Sequence, residues 1–138
     1  MSKLNVLVAG STGYIGVQLI KLLLKHKNIK IKYLCGNSSI GKTISFYDKT
    51  IKKKLPIISK LNKSKINECD IIFTALPNGD AQKISKLLNK SNTLIDLSAD
   101  FRLNDSKSYH KWYKQKHKSV RKIKNSIYSL PELNQKDI

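Results

Sequence analysis

The sequence predicts an α/β domain: an open, mainly parallel, doubly wound sheet with helices on both faces. Two observations carry this expectation. Short apolar runs alternate along the chain with stretches of helical spacing, which is the pattern of strands joined by crossover helices. The first apolar run also enters the first helix through Gly10, Gly13 and Gly16, a junction suited to the sharp strand-to-helix turn of such a sheet. With 138 residues the chain has one ordinary domain's worth of length, enough to bury a core without disulfides or metal ions.

Taken in order, Leu4 to Ala9 reads as a buried strand, short, apolar and ended by Gly10. Tyr14 to about Lys25 reads as a helix with Ile15, Leu19, Leu22 and Leu23 on one face. Ile29 to Cys35 is a second strand, with Ile29, Ile31, Tyr33 and Cys35 on one side and Lys30 and Lys32 on the other. Strand, turn, helix and strand make one βαβ unit, which requires a parallel pair and a right-handed crossover. Residues 36–68 are polar and broken by Pro56, an irregular stretch with room for a short strand and a short helix. Asp70 to Leu76 is a strong buried strand, interrupted by Pro77-Asn78-Gly79. Asp80 is placed to cap a helix carrying Ile84, Leu87 and Leu88 at i, i+3 and i+4. Thr93 to Leu97 is a further strand. No repeat or low-complexity linker divides the chain, so residues 1–138 are read as one domain.

The glycine spacing is Gly10-x-x-Gly13-x-x-Gly16, a variant of the usual dinucleotide fingerprint with its first gap widened by one residue. The physical needs are the same. The chain must turn sharply, the backbone must meet a pyrophosphate with no Cβ in the way, and the helix N-terminus must offer free N–H groups. Following a strand and opening a helix inside a βαβ unit, the motif points to a dinucleotide; a tight turn without a ligand is the alternative. Residues Gly10, Ser11, Thr12, Gly13, Tyr14 and Ile15 form this turn. The second strand ends in Cys35-Gly36-Asn37-Ser38-Ser39, where an NAD site usually carries an acidic residue. Ser38 and Ser39 offer hydroxyls instead, and Lys42 a positive charge, which suits the 2′-phosphate of NADP(H); Lys42 is equally read as one more surface lysine.

The formal charge of +18 raises nucleic acid and anionic membranes as partners. Of the 27 basic residues, however, only Arg102 and Arg121 are arginine, and the lysines run along the whole chain. The expectation is a solvated lysine-rich surface, with neither nucleic acid nor membrane as a partner; Lys107 to Lys124, the densest stretch, stays open as a patch. No apolar stretch is long enough to span a bilayer and nothing resembles a signal peptide, so a soluble, cytoplasmic chain is expected. Cys35 and Cys69 form no CxxC pair and no ligand cluster with His26, His110 or His117. They read as buried free thiols, and no metal is expected.

The stretch "LIDLSADFRL", residues 94–103 at the end of the fourth strand, brings together Asp96, Ser98, Asp100 and Arg102 where open α/β sheets take ligands. A guanidinium there suits bidentate phosphate or carboxylate binding; an Arg–Asp pair with Asp96 or Asp100 is the alternative. "VAGSTGYIG", "FTALPNG", "IDLSADFRL", "YHKWY" and "YSLPELN" occur in this order. Together they resemble the N-acetyl-gamma-glutamyl-phosphate reductases of arginine biosynthesis, relatives of aspartate-semialdehyde dehydrogenase, over about residue 4 to the last.

That resemblance implies a Rossmann-type nucleotide domain and a reaction. A cysteine thiolate attacks an acyl phosphate, phosphate leaves, and NADPH delivers hydride to the thioester to give N-acetylglutamate semialdehyde. It implies that Gly10 to Ile15 hold the pyrophosphate and that Ser38 and Ser39 approach the 2′-phosphate. Leu76, Pro77 and Asn78 would flank the cofactor, with Asn78 standing where the family commonly has His. Ser98 and Arg102 would face the acyl phosphate. The resemblance places the nucleophilic cysteine in a segment beyond Ile138, so this chain carries no catalytic residue; it also lacks the substrate domain and a far C-terminal helix that covers an apolar face. The expectations are an incomplete nucleotide domain, a chain that binds NADP(H) without turnover, and homo-oligomers for the full-length enzyme. Reduction of a related aminoadipyl phosphate, and a non-catalytic NADP-binding module, are the alternatives.

Overall fold

A computed structural model describes residues 2–134. The chain forms two compact units: the first runs to Leu76 and takes in Leu87–Leu97, and the second holds Pro77–Lys86 and the chain from Ser98 on.

The first unit contains the sheet. Strands β1 (Leu4–Ala9), β2 (Ile29–Cys35), β3 (Ile71–Thr74) and β4 (Thr93–Asp96) are all parallel, in the order β2-β1-β3-β4. The chain moves outward in one direction from β1 to β2 and in the other from β3 to β4. The reversal falls at β1 and β3, whose carboxyl ends are where open α/β sheets take ligands. Successive residues of β1 point to opposite faces, and both faces are buried: Val6 and Val8 on one, Leu7 and Ala9 on the other. Val6 and Val8 pack with Val17 and Ile20 of helix α1 (Tyr14–Leu23) and with Ile44, Ile51 and Ile58 from the long connection after β2. That connection contains a 3-10 turn (Ile44–Phe46) and helix α2 (Lys63–Asn67), which Asn62 caps by accepting from the Lys65 N–H at 2.9 Å.

Four local expectations are corrected. Helix α1 buries Gly16, Val17 and Ile20 with Leu19 and Leu23 packed beside them, whereas Ile15 and Leu22 are exposed. Two apolar stripes run along this helix, and close packing at Gly16 selects the one that contains it. In β2 the register slips: Val6 is level with Ile31 but Leu7 with Tyr33, leaving Lys32 as an extra residue. The slip inverts the alternation, so Leu34 joins the core with Ile31, and half-buried Tyr33 donates its hydroxyl to Glu68 at 2.6 Å. Helix α3 (Asp80–Ser85) has Gly79, at φ +97°, as its N-cap, and Asp80 instead pairs with Lys83 at 2.7 Å. The same helix ends before Leu87 and Leu88.

The second unit is helical: α3, α4 (Ser106–Tyr113), α5 (Val120–Ile123) and α6 (Pro131–Asn134). Its interior is unusually polar, with Gln82, Ser85, Asp100, His117 and Ser119 buried beside Tyr109 and Ile123. Among the described residues no helix is long and apolar enough to cross a membrane.

Candidate nucleotide-binding turn and anion loop

The three glycines have different reasons to be glycine. Gly10 sits at φ +81°, and a Cβ there would run into the carbonyl oxygen of Ala75, just past β3, with Leu76 Cδ2 only 3.1 Å away. A Cβ on Gly16 would run into the Gly10 carbonyl oxygen, so helix α1 can lie this close to the turn only without one. Gly13 differs: it is exposed, and a Cβ would come no nearer than 3.7 Å to protein, at the Gly10 oxygen. Protein packing accounts for Gly10 and Gly16, but at Gly13 a Cβ would make only one ordinary contact.

Gly13 is the N-cap of α1 and contributes no side-chain cap, and no acidic residue lies in the first turn. Helix geometry leaves the N–H groups of Tyr14, Ile15 and Gly16 without intrahelical acceptors, at the positive end of the helix dipole. Ser11 serves the frame. It is fully buried, and both its N–H and its hydroxyl donate to the Cys35 carbonyl at 3.2 Å, which also accepts from Gly10 N at 3.0 Å. The end of β2 therefore anchors the turn. Thr12 is half-buried, Tyr14 and Ile15 are exposed, and Leu76 stands beside Gly10. A pyrophosphate fits this cradle of open backbone and unpaired donors.

Past β2, Ser38 is exposed whereas Ser39 is buried, with its Oγ unpartnered among the described residues and facing Gly36. No carboxylate occurs from Gly36 through Lys42. The Lys42 ammonium lies 4.7 Å from the centre of the Phe46 ring.

In the second unit Pro77 is exposed and Ser98 and Arg102 lie on the loop that opens this part of the chain. Arg102 is exposed, 5.6 Å from the centre of the Tyr128 ring, and no described carboxylate pairs with it. Asp96 instead accepts from the Thr74 hydroxyl at 2.8 Å, within the first unit. Asp100, an open candidate for ligand binding in the sequence, is turned inward. Its carboxylate accepts from Gly79 N at 2.7 Å, Gln82 Nε2 at 2.8 Å and the Tyr109 hydroxyl at 2.7 Å. Burial, with the Asp100 contact second, drives the Tyr109 hydroxyl pKa well above its ordinary value, so it stays a donor. The Asp100 carbonyl meets His117 Nε2 at 2.9 Å, and His117 Nδ1 accepts from Ser119 N at 3.1 Å. With Nδ1 an acceptor, Nε2 carries the proton and donates to Asp100. Sequence reasoning missed Gln82, Tyr109 and His117 as partners of Asp100. The available signal was Gly79, a helix start with no side chain of its own to cap it.

Cys35 and Cys69 are buried free thiols. Burial is the main cause that raises both, Cys69 to about 11. Neither provides a thiolate near neutral pH. Among the described residues no group of His, Cys, Asp or Glu converges as a metal site.

A family model described as semialdehyde dehydrogenase, NAD binding domain, matches residues 5–138. The chain belongs to that family. Among curated relatives, N-acetyl-gamma-glutamyl-phosphate reductase of Ehrlichia ruminantium (strain Gardel) is 40% identical over 139 residues, covering 99% of this chain and 40% of the relative. The reductase of Clostridium novyi (strain NT) is 43% identical over 139 residues, covering 98% of this chain and 40% of the relative. The chain thus spans about two-fifths of the length of these relatives. A crystal structure of aspartate semialdehyde dehydrogenase with NADP from Candida albicans shares the fold at TM-score 0.60 and 24% identity, over 76% of this chain and 32% of that one. The doubly wound α/β architecture expected from the sequence is the fold of this semialdehyde dehydrogenase nucleotide-binding domain.

Proposed function

We propose that this chain is the nucleotide-binding part of an enzyme that reduces N-acetyl-gamma-glutamyl phosphate to N-acetylglutamate semialdehyde, with NADPH as reductant and phosphate as leaving group. The observation that supports this most directly is that Gly13 is exposed and protein does not exclude a side chain there, in a turn where Gly10 and Gly16 are both closed in. Identity of about 40% along nearly the whole chain to reductases of that name supports the substrate.

In this reading Gly10, Thr12, Gly13, Tyr14 and Ile15 present backbone to the pyrophosphate, and Ser11 braces them from below. Ser38 and Ser39 stand on the 2′-phosphate side. NADP is favoured over NAD because no carboxylate follows β2 to bind a ribose diol or repel a phosphate. Leu76 and Pro77, consecutive at the end of β3, are assigned to the cofactor. Ser98 and Arg102 are assigned to the phosphoryl group of the substrate, the guanidinium offering a planar fork to its oxygens. When bound, the nicotinamide supplies a hydride.

Titration of the chain with NADPH and NADH, followed by nicotinamide fluorescence, tests the reading. NADPH is expected to bind more tightly than NADH. Gly13→Val should weaken NADPH by about tenfold or more while leaving the unfolding midpoint near the parent's, since the side chain would occupy ligand space only. Gly16→Ala should instead lower stability by about 1–3 kcal/mol through overpacking. No NADPH binding by the parent, or equal binding by Gly13→Val, would overturn the proposal.

A further inference from the structure

We propose that Asp100 is a positioning residue: it locks the loop carrying Ser98 and Arg102 onto the Asn78-Gly79 turn and so preorganises an anion site for a phosphoryl group. This rests on the reading that Ser98 and Arg102 take that group.

Asp100 is 1% exposed, and its contacts run in two directions. Its side chain reaches the turn before α3. Both carboxylate oxygens accept from Gly79 N, at 2.7 and 2.9 Å, and Oδ2 also accepts from Gln82 N at 3.4 Å. Gln82 N is the donor that a capping side chain would have satisfied had Gly79 possessed one, and Gly79 N is the N-cap residue's own donor. Its backbone fixes the loop. Asp100 N donates to Ser98 Oγ at 3.2 Å, setting the orientation of that side chain, and the Asp100 carbonyl is held by His117. On either side, Ala99 N donates to Asn78 Oδ1 at 3.4 Å, and Arg102 N closes a turn onto the Ala99 carbonyl at 3.3 Å. The loop is therefore clamped at consecutive residues, with Asp100 as the central clamp. Electrostatics adds a second consequence. The buried carboxylate already occupies the N–H groups of Gly79 and Gln82 at the start of α3, so the anion site is assigned to Arg102, outside the clamp, among the lysines that this unit also carries.

The Gly79 contact calls for a carboxylate. Asparagine at position 100 would turn an NH2 toward the N–H groups of Gly79 or Gln82, placing donor against donor. Tyr109→Phe offers a contrast, since it deletes one donor to Oδ1 but leaves both Gly79 contacts and the ring packing in place.

The test is titration of the isotope-labelled 138-residue chain with inorganic phosphate, read at the backbone signals of Ser98, Ala99 and Arg102. The parent should show saturable shifts that Arg102→Ala removes. Asp100→Asn, checked for retained fold by its signal dispersion, should bind phosphate about tenfold more weakly or worse. Tyr109→Phe should lower the unfolding midpoint yet bind phosphate like the parent. Equal binding by parent and Asp100→Asn overturns the positioning role alone. So does phosphate binding by Tyr109→Phe that falls in step with its stability, which would make Asp100 a purely structural residue. Absence of shifts in the parent, or shifts that survive Arg102→Ala, removes the reading of Ser98 and Arg102 and the proposal with it.

Discussion

Asp48 shows how much one carboxylate organises in the long connection after β2. It accepts from the Lys21 ammonium at 2.6 Å and from both the N–H and the hydroxyl of Thr50, at 2.8 and 2.6 Å, tying the 3-10 turn to helix α1. The Lys21 contact, followed by those of Thr50, lowers its pKa from 3.8 to about 2. A lowered folded-state pKa means that this stabilisation is complete above the unfolded value and fades as pH falls toward the folded one. Asp48→Asn should therefore be less stable than the parent at pH 6, with the difference shrinking between about pH 4 and pH 2, as denaturant titrations across that range would report. Residue by residue, the sequence disclosed those demands that act locally. Gly10 and Gly16 were legible because close backbone contact is written as a missing side chain. Asp100 was not legible as a cap, because the helix start it serves lies 21 residues earlier and nothing in the local pattern points there. Ser11 was legible as part of the turn, but not as a group already occupied by the Cys35 carbonyl.

Among the elements, α4 carries the clearest correctable flaw. Asp105 caps its start, accepting from the N–H groups of Lys107 and Ser108. Its end is closed by Lys114 at φ 54°, a left-handed conformation in a residue with a Cβ. Lys114→Gly should raise stability by about 1 kcal/mol by relieving that strain, measured as a shift in the urea midpoint at constant m-value. β1 and β3 were readable as compact apolar runs with glycine or proline beyond them, β2 by its apolar alternation ending at Gly36, and β4 by its short apolar centre. What escaped was orientation. Helix α1 has two apolar stripes, and periodicity alone does not say which one Gly16 brings against the sheet. The slip at Lys32 escaped for a related reason: an extra residue in β2 shows only against its partner β1, which lies elsewhere in the sequence.

For the whole molecule, charge dominates. Against 27 basic residues stand nine acidic ones, and three ion pairs occur among the described residues. At a net charge of +18, like-charge repulsion opposes the compact state and is screened within about 8–10 Å at physiological salt. The thermal midpoint should accordingly rise between about 20 and 300 mM sodium chloride, and a midpoint that fell or stayed level would show that the attractive pairs outweigh the repulsion. Lys107 and Lys111 lie at i and i+4 on α4, opposite the stripe formed by Tyr109 and Tyr113, whose rings are 4.9 Å apart. These two lysines thus occupy the solvated side of an amphipathic helix, and Lys114, at its C-cap, is exposed as well.

The seating of Gly10 against Ala75 has a consequence for synthesis of the chain. Everything the glycine turn needs in sequence has emerged by Cys35, where the carbonyl anchor of Ser11 lies. Yet the wall behind Gly10 is built by residues that emerge some forty positions later, and β1 stays unpaired on that side until β3 arrives. On a ribosome the nascent chain would hold its glycines ready, but without their backing, until Ala75 clears the exit tunnel. Arrested chains ending shortly before and shortly after that point should differ in whether they retain nucleotide.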